Sequence, residues 1–120
     1  MSHVLVVDDE EDIRELVRMN LIGNGLQVTT ATSGEEALTA AIRLRPDLII
    51  LDVVMMGLSG LEVCRLLKSR KDTGEIPIII MSVLGREIDR KYVADVGADG
   101  FVTKPFETDD LLRLVDELLN

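Results

Sequence analysis

The sequence predicts an α/β fold, a doubly wound parallel sheet built from five successive strand–helix units. Three observations lead there. Short apolar runs without polar alternation recur along the chain, as expected of strands buried on both faces of a parallel sheet. Each run is followed by a stretch whose apolar residues have helical spacing. The connections are short, and no linker or low-complexity segment interrupts the 120 residues, a length that fits one domain with its own core.

His3 to Val7 (HVLVV) is the first run, and it ends at Asp8-Asp9. The helix after it places Ile13, Leu16, Val17 and Leu21 on one face. Glu10, Glu11 and Asp12 crowd its first turn, where the helix dipole favours negative charge, and Gly23-Asn24-Gly25 stops it. Leu26 to Ala31, rich in β-branched residues, is the second strand. Ser33 and Glu36 have capping-box spacing and open a helix carrying Ala37, Leu38, Ala41 and Ile42, which Arg45-Pro46 ends. Leu48 to Leu51 is the third strand, closed by Asp52. A Gly-containing loop leads to Ser59 and Glu62, a second capping-box pair, and to a helix that runs to about Arg70. Ile76 to Met81 is the fourth strand, closed by Ser82, with Pro77 tolerated near its start. A helix from about Arg86 to Val96 ends at Gly97. Phe101 to Thr103 is the fifth strand, closed by Lys104-Pro105. Thr108 then caps a last helix with Leu111, Leu112, Leu114, Val115, Leu118 and Leu119. Five such units imply helices on both faces of the sheet and the strand order 2-1-3-4-5 of the flavodoxin-like fold.

Composition narrows the function. Against 13 bases stand 22 acids, and the net charge of -9 opposes direct binding to nucleic acid. Tyr92, Phe101 and Phe106 are the only aromatics, too few for a base-stacking platform. Cys64 is the sole cysteine, which excludes an internal disulfide and a cysteine-based metal site; its spacing from Leu61 and Leu67 makes it a small buried side chain. No signal-peptide pattern opens the chain and no apolar run approaches a membrane span. A soluble, cytoplasmic domain without a membrane partner is expected.

In open parallel sheets, ligands bind beyond the carboxyl ends of the strands, near the point where strand order reverses. For the order 2-1-3-4-5 that point lies between the first and third strands. Asp8 and Asp9 follow the first strand, Asp52 the third, Ser82 the fourth and Lys104 the fifth, so all face one crevice. Taken singly, each has an ordinary reading: a helix cap, a solvated loop acid, a turn hydroxyl, a surface lysine. Together they form a chemical set. Three neighbouring carboxylates raise one another's pKa unless a cation joins them, and hard oxygen donors fit Mg²⁺. A carboxylate nucleophile at Asp52, a divalent metal, a hydroxyl and a lysine could hold a phosphoryl group.

LVVDD at the first strand, ILDVVM at the third, IIIMS at the fourth and GADGFVTKPF at the fifth closely resemble the receiver domain of two-component response regulators, over essentially all of residues 1–120. The resemblance implies that Asp52 accepts a phosphoryl group from a phosphohistidine on a sensor histidine kinase or histidine phosphotransferase. It implies that Asp9, Asp52 and the carbonyl of Val54 bind Mg²⁺, with Asp8 acting mainly through water. Ser82 and Lys104 would hold the phosphoryl oxygens, and Phe101 matches the switch aromatic that turns inward as Ser82 moves. A cis Lys104-Pro105 peptide is implied as well. The output surface would be the fourth helix, fifth strand and fifth helix, where Ile88, Tyr92 and Val96 mark one helix face; Val96 and Ile88 are expected to pack on the sheet. Arg86, Asp89, Arg90, Lys91 and Asp99 are candidates to pair across a homodimer formed on phosphorylation. A downstream effector domain or protein would read the switch, and an end at Asn120 suits a stand-alone receiver or one cut from a longer protein.

The departures from the family pattern concern rate. Val83 stands where a small residue is usual, Met56 where Pro is common, and Val54 and Leu84 offer no carboxylate or amide to place an attacking water. Slow hydrolysis of the phosphorylated state is the expectation. Other readings are weighed against this one. A haloacid-dehalogenase-type phosphatase would need a second Asp where Val54 stands. A flavin-binding relative would be repelled by Asp8-Asp9. A pseudo-receiver that signals without phosphate is opposed by the intact Asp9, Asp52, Ser82 and Lys104.

Overall fold

A computed structural model of the chain describes residues 2–55, 57–83 and 87–120, with the backbone alone at 87–90. The elements alternate as expected: β1 (His3–Val7), α1 (Glu11–Gly23), β2 (Gln27–Ala31), α2 (Gly34–Leu44), β3 (Leu48–Asp52), α3 (Gly60–Lys68), β4 (Ile78–Ser82), α4 (Glu87–Asp95), β5 (Gly100–Thr103) and α5 (Thr108–Leu119). The strands form one five-stranded sheet in the order β2-β1-β3-β4-β5, every pairing parallel. Fold class and strand order are as the sequence predicts.

Alternate residues of each apolar run feed two separate cores. Val4, Val6, Leu48, Ile50, Ile79 and Met81 pack with α1 and α5. Leu5, Val7, Ile49, Leu51, Ile78 and Ile80 pack with α2, α3 and α4. Because β3 and β4 are buried at all of their residues and β1 at all but His3, these strands tolerate no polar alternation. The edge strands β2 and β5 are only half-buried. Truncating a fully buried Leu or Ile to Ala typically costs about 2–5 kcal/mol, so the three inner strands contribute heavily to stability.

Local chemistry sets the helix ends. The Ser33 hydroxyl accepts the Glu36 N–H at 3.2 Å, but the Glu36 carboxylate turns to the Thr32 hydroxyl at 3.1 Å instead of closing a full capping box. Ser59 accepts the Glu62 N–H at 3.2 Å and donates to its carboxylate at 3.4 Å. Thr108 is not the cap expected of it: it is the first helical residue, and Glu107 occupies the cap position without a side-chain bond. Leu16 also departs from expectation and is 46% exposed. Ile13, Val17 and Leu21 form an i, i+4, i+8 stripe, and Leu16 lies about 100° of helix rotation away from Val17. Helix α3 stops at Lys68 rather than near Arg70, and β4 starts at Ile78, which leaves Pro77 outside the strand.

Cys64 is buried, and its thiol donates to the Val96 carbonyl at 3.7 Å. Lys104-Pro105 is cis. Val96 packs against the second core while Tyr92 is 53% exposed. Asp99 is exposed and also bonded within the chain: its Oδ2 accepts from the Lys68 ammonium at 2.7 Å and from the Ile78 N–H at 2.9 Å. Met56, Leu84 and Arg86 and the side chains of Ile88, Asp89 and Arg90 lie outside the described residues. Among the described residues, no helix is long and apolar enough to cross a membrane.

Helix α2 ends with Arg45 in the left-handed region at φ 46° and ψ 63°, which glycine occupies without steric cost. The Arg45 guanidinium reaches Asp72 only at 3.9 Å and on the surface, a contact that contributes little. Arg45→Gly is therefore expected to stabilise the chain by about 1 kcal/mol. Urea unfolding checks this, as a raised midpoint at unchanged slope.

Candidate functional site

Parallel register delivers the polar residues to one rim. Val7 pairs with Leu51, Asp52 with Met81 and Ser82 with Thr103, so the residues that close these strands emerge side by side. Asp8 is fully buried. Its Oδ1 accepts the Glu10 N–H at 2.9 Å, and its Oδ2 accepts from Lys104 Nζ at 2.6 Å. Arg14 donates to the Asp8 carbonyl at 2.9 Å and thereby ties this loop to α1. Lys104 arrives from the far side of the sheet, its backbone N–H donating to the Ser82 carbonyl at 2.7 Å. The same ammonium stands 3.3 Å from Asp52 Oδ1 and 3.7 Å from Glu10 Oε1. One cation thus serves the ends of β1 and β3 at once.

The electrostatics favour a further cation. Burial pushes the Asp52 carboxyl up, the charge of Asp8 adds to it, Lys104 pulls it down and Asp9 raises it again; the result is about 6. Burial opposes the charge of Lys104, but its hydrogen bond to Asp8 and the charges of Asp52 and Asp8 outweigh that and hold it above the ordinary lysine range. Lys104 alone therefore leaves negative charge uncompensated at Asp52. Oxygens of Asp8, Asp9 and Glu10 all lie within 4.8 Å of one another. A donor set made only of carboxylates and backbone carbonyls, with excess negative charge, fits a hard divalent ion such as Mg²⁺.

Asp9, Glu10, Asp52, Val54, Val83 and Lys104 line a pocket of about 310 Å³ that opens on this rim. Asp9 and Glu10 are exposed there, while Asp52 is 5% exposed. The sequence marks Glu10 only as a first-turn charge; in the structure it occupies the N-cap position of α1, without a side-chain cap bond, and joins the acids. The signal was its place directly after Asp8-Asp9. Val54 and Val83 are each 61% exposed and flank the pocket with aliphatic surface. Ser82 is 2% exposed at the end of β4. Phe101 is half-buried on β5, in register with Ile80 and packed against the core under α2, α3 and α4. The residues expected at the rim, Asp8, Asp9, Asp52, Val54, Ser82 and Lys104, are brought to it; Phe101 lies further back along β5.

Comparison with known proteins identifies the family of the chain. The family model described as the response regulator receiver domain matches residues 4–116. The phosphate regulon transcriptional regulatory protein PhoB of Rhizobium meliloti is 40% identical over 119 residues, which cover 99% of this chain and 52% of that protein. The alkaline phosphatase synthesis transcriptional regulatory protein PhoP of Bacillus subtilis is 41% identical over 116 residues, 97% of this chain and 48% of that protein. The chain therefore spans about half the length of these curated relatives. The solved structure of the chemotaxis response regulator CheY4 of Vibrio cholerae superposes with a TM-score of 0.92 at 33% identity, covering 98% of each chain. With a family match over nearly its whole length, the chain belongs to the response regulator receiver domain family of two-component systems.

Proposed function

We propose that this domain takes a phosphoryl group onto Asp52 from a phosphohistidine on a sensor histidine kinase or histidine phosphotransferase. The observation that carries this reading is the Asp52 carboxylate itself: nearly buried, opening into a pocket, and 3.3 Å from a lysine already held by a second buried acid. An Asp52 oxygen attacks phosphorus, the P–O bond forms as the P–N bond breaks, and the electron pair leaves with the imidazole nitrogen. Lys104 is anchored by Asp8, so its ammonium stays in place to take a phosphoryl oxygen once the Asp52 charge is consumed. Ser82 supplies its hydroxyl to a second phosphoryl oxygen. Asp9, Asp52 and the Val54 carbonyl would hold Mg²⁺, with Asp8 acting through water. When bound, the ion neutralises the acids and the phosphoryl oxygens.

The phosphorylated site would then bias a two-state surface. New charge at Asp52 draws Ser82 forward, and the ring of Phe101 follows into the space behind it. β5 and the flanking α4 and α5 carry the change outward, with Tyr92 exposed on α4 to meet an effector domain or protein. The relatives' names describe transcriptional regulators about twice this length. For this domain, the net charge of -9 supports control of an effector rather than contact with nucleic acid. Homodimerisation on phosphorylation would use the same α4, β5 and α5 surface, where Lys91 and Asp99 are exposed.

Intact mass after incubation with Mg²⁺ and acetyl phosphate tests the acceptor. A single phosphoryl adduct that requires Mg²⁺ is expected, and none on Asp52→Asn; an adduct on that variant would overturn the assignment.

The raised Asp52 carboxyl makes a stability prediction whose sign is definite. The folded chain holds this proton up to about pH 6, whereas an ordinary carboxyl loses it near 3.8. Stability without metal is therefore lost as pH rises from about 4 to 6, by on the order of 2 kcal/mol. Asp52→Asn should unfold at higher urea than the unaltered chain at pH 7.5 and at nearly equal urea at pH 3.8. Mg²⁺ should stabilise the unaltered chain at pH 7.5 by mass action and have little effect at pH 4.

Val83 bears on speed. Its exposed methyl groups border the path of a donor or of water to Asp52. Val83→Ala is expected to accelerate both labelling by acetyl phosphate and loss of the label by roughly threefold or more. Unchanged rates would remove Val83 from the account.

A further inference from the structure

The loop between β3 and α3 matters to the proposed site because it carries Val54, and it is held from outside by a residue of α2. The Glu35 carboxylate, in the first turn of α2, accepts the Leu58 N–H through Oε1 at 2.6 Å, across 23 residues of sequence. Gly57 lets the backbone come this close. It has φ +77°, and a Cβ there would lie 2.3 Å from Glu35 Oε1 and 2.4 Å from Oε2. The start of the loop is tied to the sheet, the Val53 N–H donating to the Met81 carbonyl at 3.1 Å, and its end is tied back to its start, the Gly60 N–H donating to the Val53 carbonyl at 2.9 Å. Gly60 also abuts the acceptor directly, since a Cβ there would lie 2.0 Å from the Asp52 carbonyl oxygen. Between these ties the Leu58 N–H has the Glu35 carboxylate as its partner, and that partner is neither in the loop nor in the pocket.

We propose that Glu35 is a positioning residue for the phosphoacceptor site, its carboxylate holding the Leu58 N–H so that the loop presents the Val54 carbonyl to the metal. The proposal rests on the reading of Val54 as a metal ligand given above. Glu35 touches none of the pocket residues through any described hydrogen bond; it acts through the loop backbone. A ligand supplied by a loop is only as well placed as the loop, and the groups that orient a ligand set affinity together with the ligand itself. A hydrogen bond from an amide to a carboxylate can use either oxygen of Glu, and Gln keeps one acceptor oxygen on the same length of side chain. The acceptor, rather than the charge, is what the role requires.

The test compares the unaltered chain with Glu35→Ala and Glu35→Gln. Glu35 is exposed, and removal of its side chain leaves both cores intact. Mg²⁺ affinity by titration calorimetry should fall roughly three- to tenfold in Glu35→Ala and return close to the original value in Glu35→Gln. Amide exchange at Leu58, measured without metal, should be faster in Glu35→Ala alone. With acetyl phosphate, the Glu35→Ala defect should shrink as Mg²⁺ is raised to saturation, which a general loss of fold would not do. Unchanged Mg²⁺ affinity in Glu35→Ala overturns the proposal, as does unchanged Leu58 exchange. If the unaltered chain itself binds no Mg²⁺, the reading of Val54 fails and this inference fails with it, a result distinguishable because it precedes any substitution.

Discussion

The interaction on which the rest depends is the buried bridge from Lys104 to Asp8 and Asp52. A carboxylate as fully buried as Asp8 is tolerable only if its charge is met, and the lysine ammonium meets it at 2.6 Å. The partners lie 96 residues apart in sequence. They meet because the sheet order places β1 beside β3 and brings the end of β5 over the same rim. The bridge therefore constrains the fold as much as the fold builds the bridge. It also leaves Asp52 short of positive charge, the condition that the proposed binding of a metal ion and then a phosphoryl group requires.

Stiffness and adaptability are divided between strands. β1, β3 and β4 are enclosed by both cores; Asp8 directly follows β1, and Asp52 and Ser82 end β3 and β4. β5 is a half-buried edge strand and carries Phe101, with Lys104 directly after it. A reacting carboxylate benefits from a fixed mount, and an output element must have a second arrangement within reach. Under the proposed function, Asp52 on an inner strand and Phe101 on an edge strand would meet both needs within one sheet.

The surroundings of Asp52 are less polar than the floor of its pocket. Val54 and Val83 present aliphatic groups on either side of the opening, and Glu35 braces the loop from outside. Neither valine offers a group to orient an attacking water. Under the proposed function, neutral walls above a charged floor would favour retention of the phosphoryl group over its hydrolysis.

Much of this was legible in the chain. Unalternating runs such as LIIL and IIIM can be buried only between two layers, so the parallel sheet, the five units and the residues closing each strand follow from pattern and from the handedness of crossovers. The acids, the hydroxyl and the lysine were placed at one rim by the same reasoning. What only the tertiary structure decided are the pairings among groups that local sequence treats alike. Glu10 joins the acids instead of merely opening α1, because the turn after Asp8 brings it within range of Lys104. Asp99 bonds Lys68 and the Ile78 amide, and Leu16 faces solvent beside a buried stripe. Glu35 finds Leu58 across 23 residues. A surface carboxylate has no periodicity that marks its partner; that choice is made by which loops the packed helices bring within about 3 Å.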